Sequence, residues 1–215
     1  DVMNFSVTFN KAVEVNTNNG TPGLSLAIDS GAVSATYQSG SGSDVLVFQY
    51  AAQTGNFDND GIGVNSLNLN GGSIQNNGNL NANLNLNNIG DTSGIFIDAV
   101  APLIQSVTRQ IPSTSPTDAD QVTLRYTFTE AVNGIQNGNF FSNNPTVVTS
   151  FNVTTIDSST YDVEFSGANM AEFNGVIVFG FISAGITDTV GNSMSNSTVI
   201  GTNDNSYEFI NLYYI

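Results

Sequence analysis

Met3-Asn-Phe-Ser-Val-Thr-Phe-Asn-Lys-Ala-Val13 and Val122-Thr-Leu-Arg-Tyr-Thr-Phe-Thr-Glu-Ala-Val132 align without a gap at an offset of 132 − 13 = 119 residues. Thr8-Phe9 matches Thr127-Phe128, Ala12-Val13 matches Ala131-Val132, and the apolar residues at 3, 5 and 7 answer those at 122, 124 and 126. Each copy alternates apolar and polar residues with a period of two, the pattern of a strand that buries one face. One strand motif recurring at domain-length separation predicts two related units.

The alternation continues outward through Val45 and Val47, Leu67 and Leu69, and Leu84 and Leu86, and no stretch sustains a helical period. Asn-Gly pairs begin at Asn19, Asn70, Asn77, Asn133, Asn137 and Asn174, mostly between these runs, where turns need positive φ. Between the two copies, Gly94-Ile-Phe-Ile-Asp98 reads as a last strand and Ala99-Val-Ala-Pro102 as a short stiff joint. Leu103-Ile-Gln-Ser-Val-Thr108 then reads as the next first strand. The expected fold is all-β: two tandem antiparallel β-sandwiches of about seven strands each, residues 1–99 and 100–215, with the boundary near Val100. From Leu67 to Asn88 nearly every second residue is Asn, which reads as an exposed polar face with its Leu side chains turned inward.

Composition narrows the function. Three Lys or Arg against eighteen Asp or Glu give 3 − 18 = −15, a charge that disfavours nucleic acid and anionic membrane surfaces. No His and no Cys are present, which removes the imidazole base, the thiolate nucleophile, disulfides and ordinary zinc or copper sites. Any metal is therefore expected to be hard, calcium first. No apolar run approaches the ~18 residues of a membrane span. Abundant Asn, Ser, Thr and Gly with scarce Lys and Glu suit a secreted β-protein, so an extracellular location is expected. The chain begins at Asp1 without a basic leader, which reads as a cut in a longer chain.

Several segments together resemble the tandem bacterial Ig-like repeats of very large extracellular adhesins. They are Thr-Phe-x-[Lys/Glu]-Ala-Val at 8–13 and 127–132, and Ala35-Thr-Tyr-Gln-Ser-Gly-Ser-Gly-Ser-Asp44 leading into Val45-Leu-Val-Phe-Gln-Tyr50. Asn56-Phe-Asp-Asn-Asp-Gly-Ile62 before Asn65-Ser-Leu-Asn-Leu-Asn-Gly-Gly72 adds to them. So do Asp98-Ala-Val-Ala-Pro102, Ser115-Pro-Thr-Asp-Ala-Asp-Gln-Val122 and Ile186-Thr-Asp-Thr-Val-Gly-Asn192. The resemblance covers most of the chain. It implies a cell-surface structural or adhesive repeat that acts as a calcium-stiffened spacer between a binding tip and the cell, with neighbouring repeats as partners.

The first unit departs from that pattern. In the second unit residues 103–121 supply a first strand and a loop before the Thr-Phe motif, whereas the first unit opens almost directly on it. Its first strand is expected from upstream residues or from another copy, because an uncompleted edge leaves unpaired backbone groups. At the other end Ser206-Tyr-Glu-Phe-Ile-Asn-Leu-Tyr-Tyr-Ile215 runs on past the expected last strand with apolar residues. This suggests an alternative function, a filament subunit that polymerises by donating its C-terminal strand. A glycan-binding module reading surface sugars through acidic loops is a further alternative.

Metal-ligand candidates follow from carboxylate spacing. Asp58-Asn-Asp60-Gly61 resembles the opening of a calcium loop but lacks the distant bidentate Glu of an EF-hand. Asp98 at the joint, Asp118 and Asp120 in the first loop of the second unit, and Glu130 after its second strand are expected near one seam. Asp188 with Asn192 forms another candidate before the last strand. No carboxylate pair stands out for glycosidase chemistry, and there is no Trp for sugar stacking, so a non-enzymatic role is expected. Arg109 and Arg125 are expected to pair with nearby acids such as Glu164.

Overall fold

The computed structural model describes residues 2–210, and among them there is no α-helix. The chain forms two compact units, Asp1–Val100 and Ala101–Ile215. Each has its own apolar core.

In the first unit the strands are β1 (Val2–Asn16), β2 (Gly23–Ile28), β3 (Gly31–Ser39), β4 (Ser43–Ala51), β5 (Phe57–Asp58), β6 (Gly63–Asn68), β7 (Ser73–Gln75) and β8 (Ile97–Asp98). Six of them form one antiparallel sheet in the order β6-β2-β3-β4-β1-β7, and β5 pairs with β8. The length of β1 reflects two partners. Residues 2–8 pair with β4, the register breaks between Thr8 and Val13, and Glu14–Asn16 pair with β7. A tight turn carries the chain from β6 toward β7: Asn70 and Gly71 take φ of 51° and 93°, and the Gly72 N–H donates to Leu69 O at 2.8 Å. Two consecutive positive φ values are what an Asn-Gly pair supplies at least cost. Leu24 and Leu26 from β2 and Leu46 and Phe48 from β4 lie at the centre of the core with Ile62 and Ile74.

Residues 82–96 are mostly irregular, despite their alternation. Asn side chains there bond their own backbone, as when Asn85 N–H donates to Asn83 Oδ1 at 3.0 Å, which competes with a ladder. Leu84 and Leu86 still pack against the core, as expected, whereas Leu80 is 67% exposed. Leu80 closes a small loop in which Asn76 Oδ1 accepts from the backbone N–H groups of Gly78 and Leu80. That turn points it away from the sheet.

The second unit contains β9 (Ile104–Ile111), β10 (Gln121–Phe128), β11 (Val132–Asn133), β12 (Phe140–Ser142), β13 (Ser150–Asp157), β14 (Thr160–Ser166), β15 (Gly175–Phe181), β16 (Thr187–Asp188) and β17 (Ser206–Phe209). Two antiparallel sheets, β13-β14-β10-β9 and β12-β15-β17, contribute rings to one core, with β11-β16 as a small ladder beside them. Phe165 of one sheet meets Phe179 of the other at 4.3 Å between ring centroids, and Tyr126 meets Phe140 at 5.0 Å. Such ring pairs add roughly 0.5–1.5 kcal/mol each beyond area burial. This arrangement is consistent with a β-sandwich.

The sheets of this unit are also clamped at one edge. Tyr207 on β17 donates its O–H to Pro112 O at 2.6 Å, and Arg109 on β9 donates Nε–H to Ser206 O at 2.8 Å while lying 5.2 Å from the Tyr207 ring centroid. Burial, partly offset by Arg109, pushes the Tyr207 phenol up to about 12. Arg109 faces Asp204 at 3.9 Å, and Arg125 makes a two-pronged pair with Asp162 at 2.7 and 2.9 Å. Glu164 is not the partner of Arg125, because the β10–β14 register sets Arg125 opposite Asp162 and Glu164 opposite Thr123.

The two units share a three-stranded arrangement, a hairpin flanked by an earlier strand: β3-β4-β1 in the first and β13-β14-β10 in the second. β1 and β10 carry the repeated motif. They differ in their outer neighbours, since β10 has β9 on its far edge while residues 2–8 of β1 have β4 as their only ladder partner among the described residues. Accordingly Val122, Leu124, Tyr126 and Phe128 are 3% exposed or less, whereas Met3, Phe5, Val7 and Phe9 are only half-buried.

Candidate functional site

In the first unit the two-residue β5 delivers Asp58 into the structure, where it is 2% exposed. Its Oδ1 accepts the Gly61 N–H at 2.7 Å. Gly61 has φ of 108°, and a Cβ there would lie 2.4 Å from Ser93 Cα, so the loop requires glycine at this point. The β2–β3 turn brings Asp29 alongside, its Oδ2 accepting the Asn59 N–H at 3.0 Å. Asp29, Asp58 and Asp60 each offer a carboxylate oxygen within 4.8 Å of the others. Of the three, the sequence singles out Asp58 and Asp60. Asp29 comes from a distant turn, and no local pattern marks it.

Calcium holds oxygens at about 2.3–2.6 Å, so two oxygens on one ion lie at most about 5 Å apart. The Asp29, Asp58 and Asp60 spacing fits that limit, and the group would supply three of the six to eight oxygens calcium takes. Without a cation, carboxylates this close repel by about 1 kcal/mol per pair even at a water-like dielectric.

Asp188 in the second unit is a different arrangement. It ends β16, is 1% exposed, and its Oδ1 accepts the backbone N–H groups of Val190, Gly191 and Asn192 at 2.9, 2.6 and 2.8 Å. Oδ2 accepts from Asn192 Nδ2 at 2.7 Å, and Asn133 Nδ2 donates to the Asp188 carbonyl at 3.0 Å. Burial alone would raise the Asp188 carboxyl, but these donors together hold it below the ordinary value. Asp188 therefore stabilises its loop by gathering backbone donors, and Asn192 is one of those donors. Glu130 offers a carboxylate oxygen within 4.8 Å of one on Asp188.

Asp58 and Asp188 use the same device. Each is followed three residues later by a Gly at positive φ whose N–H returns to Oδ1. The Asp-x-x-Gly spacing is thus a loop staple common to both units.

Asp98 lies in β8, opposite Phe57 of β5, and its Oδ1 accepts the Val100 N–H at 3.1 Å. Asp118 and Asp120 precede β10, and Glu130 follows it. They lie beyond opposite ends of β10, whose eight residues span about 23 Å at 3.3 Å per residue. Asp118 and Asp120 therefore do not share a seam with Glu130. Comparison with protein-family models, with curated proteins and with solved structures finds no match for this chain.

Proposed function

We propose that this chain is a structural repeat segment of an extracellular bacterial adhesin or surface filament, built from two Ig-like sandwiches in series and acting as a spacer. The observation that carries this reading is repetition within the fold: the same hairpin flanked by an earlier strand, with the same Asp-x-x-Gly staple, occurs in both units. A chain that repeats a β-unit with its own core gains reach from each added copy, and function then lies in length, stiffness and surface chemistry. The acidic surface keeps such a molecule soluble and separate from its neighbours. Calcium is the ion suited to the Asp29, Asp58 and Asp60 oxygens, and extracellular modules bind it at roughly 10⁻⁴–10⁻³ M. It would join the β2–β3 turn to the loop after β5.

Single-molecule pulling tests the spacer. Each unit should resist and then release as one event, with gains on the order of 300–400 Å for chains of this size at about 3.6 Å per residue. Gradual extension without two discrete events would refute it.

A further inference from the structure

We infer that the second unit carries a binding cavity for a small uncharged molecule with an apolar body and one hydrogen-bond acceptor, and that the acceptor takes the Tyr126 hydroxyl. This inference does not depend on the spacer reading. It rests on two observations at one place. A cavity of about 320 Å³ reaches the core, and Tyr126, one of the residues lining it, has a buried hydroxyl with no hydrogen-bond partner among the described residues.

The cavity follows from the way the chain changes sheets. β17 pairs with β15 only as far as Ser206 opposite Val178. Asn205 then holds Phe179 by two bonds, Phe179 N–H donating to Asn205 O at 2.8 Å and Asn205 Nδ2 to Phe179 O at 3.0 Å. The residues just before it lie along β9 instead, where Val107 N–H donates to Thr202 O and Asp204 N–H to Val107 O, both at 2.8 Å. Gly180 and Phe181, at the end of β15, are thus paired with β12 alone among the described strands, and a gap is left between the edges of the two sheets. Ile104 and Val107 of β9, Tyr126 of β10, and Phe179 and Phe181 of β15 line it, each 6% exposed or less. Phe141, another lining residue, is 46% exposed, so the cavity opens to solvent and a ligand has a way in.

Tyr126 is the exception among the tyrosines of this core. Tyr161 donates to Val132 O at 3.1 Å and Tyr207 to Pro112 O at 2.6 Å. Tyr126 instead packs against the rings of Phe140 and Phe181, with centroids 5.0 and 6.0 Å away, which offer no oxygen or nitrogen acceptor. Buried polar groups have partners as a rule, and leaving a bond unmade is costly. The strand motif does not demand the hydroxyl, since the aligned residue of the other copy is Val7 (126 − 119 = 7). A hydroxyl that weakens its own core beside a cavity is accounted for by an occupant of that cavity.

The lining selects the occupant. None of the residues lining the cavity is charged, and burial pushes the Tyr126 phenol up, so it stays a neutral donor. An ionic ligand would lose its hydration with no countercharge to replace it. A lone water needs two to four polar partners, and the core side of the cavity offers one hydroxyl among rings and aliphatic side chains. Since an apolar cavity of roughly 150 Å³ holds benzene, this one admits a single substituted ring.

Titration of the full chain with acetophenone, an apolar ring joined to one carbonyl acceptor, tests the proposal, with ethylbenzene as the probe that lacks the acceptor. The methyl signals of Ile104 and Val107 should shift saturably, with a dissociation constant of about 1 mM for acetophenone. Tyr126→Phe keeps the ring and removes only an unpartnered hydroxyl, so the variant should fold. It should weaken acetophenone by about fivefold and leave ethylbenzene within about twofold of the wild type. The proposal is overturned if those methyls do not respond to acetophenone well above that concentration. It is equally overturned if Tyr126→Phe binds acetophenone as tightly as the wild type does.

Discussion

Replacing Asp188 with Ala removes the acceptor on which three backbone N–H groups and the Asn192 carboxamide converge. A hydrogen bond to a charged group contributes roughly 1.5–3 kcal/mol, and a buried donor left without a partner costs about 1–3 kcal/mol. The four interactions are not additive, since a loosened 188–192 loop would admit water. We therefore expect Asp188→Ala to destabilise the second unit by roughly 3–5 kcal/mol. Asp188→Asn keeps one acceptor oxygen in nearly the same shape and should cost about 1–2 kcal/mol. Urea unfolding followed by tyrosine fluorescence reads the effect, because the chain has no Trp and Tyr126, Tyr161 and Tyr207 all belong to the second-unit core. The same carboxylate sets a pH dependence. Its folded pKa lies below the ordinary value of 3.8, so its stabilisation is fully present above about pH 4. That contribution disappears as the pH falls through the folded value, and the Asn variant should lack this part of the acid dependence. A cost for Asp188→Ala below about 1 kcal/mol, or superimposable pH profiles for wild type and Asp188→Asn, would refute the staple.

Three further outcomes are expected. The Tyr126 hydroxyl is buried with no hydrogen-bond partner among the described residues, so Tyr126→Phe should stabilise the second unit by about 1 kcal/mol, and a loss of stability on denaturant titration would contradict this. Tyr207→Phe breaks the bond to Pro112 that clamps β9 to β17 and should cost about 1–2 kcal/mol; an unchanged midpoint would show the clamp to be idle. If calcium occupies the Asp29, Asp58 and Asp60 group, millimolar calcium should stabilise the first unit by about 0.4–1.4 kcal/mol, which raises its melting temperature by several degrees. Asp60→Asn should largely abolish that shift, and a melting curve indifferent to both calcium and chelator would remove the ion from the proposed function.

How far the sequence could be read depended on the range of the interactions involved. Period-two alternation reports a local choice about which face of a strand is buried, and β10 bears it out, whereas in β4 the expected pair Val45 and Val47 is only half-buried and Leu46, Phe48 and Tyr50 on the opposite face fill the core. The same alternation misleads at residues 82–87, where it finds no ladder because Asn side chains satisfy nearby backbone groups instead. Asn70-Gly71 was legible as a turn because positive φ is a property of the residues themselves. Partners across a sheet were not legible. Arg125 was expected to meet Glu164, and a two-residue difference in register gave it Asp162.

The candidate acids show the same division. Asp58 was visible through the alternating oxygen-bearing side chains before Gly61 and Asp188 through Asn192 nearby, but the turn that each closes with the Gly three residues on emerged only from the structure. Asp29 was invisible, since a turn that closes before residue 31 reaches Asp58 only through sheet packing. By itself the sequence determined the strand chemistry, the exclusion of His- and Cys-dependent catalysis, and the duplication of one motif, all of which depend on residue type and spacing. Only the tertiary structure decided which strands lie side by side: β10 is flanked by β14 and β9, whereas residues 2–8 of β1 have β4 as their one ladder partner among the described residues, because pairing is settled by segments remote in the chain.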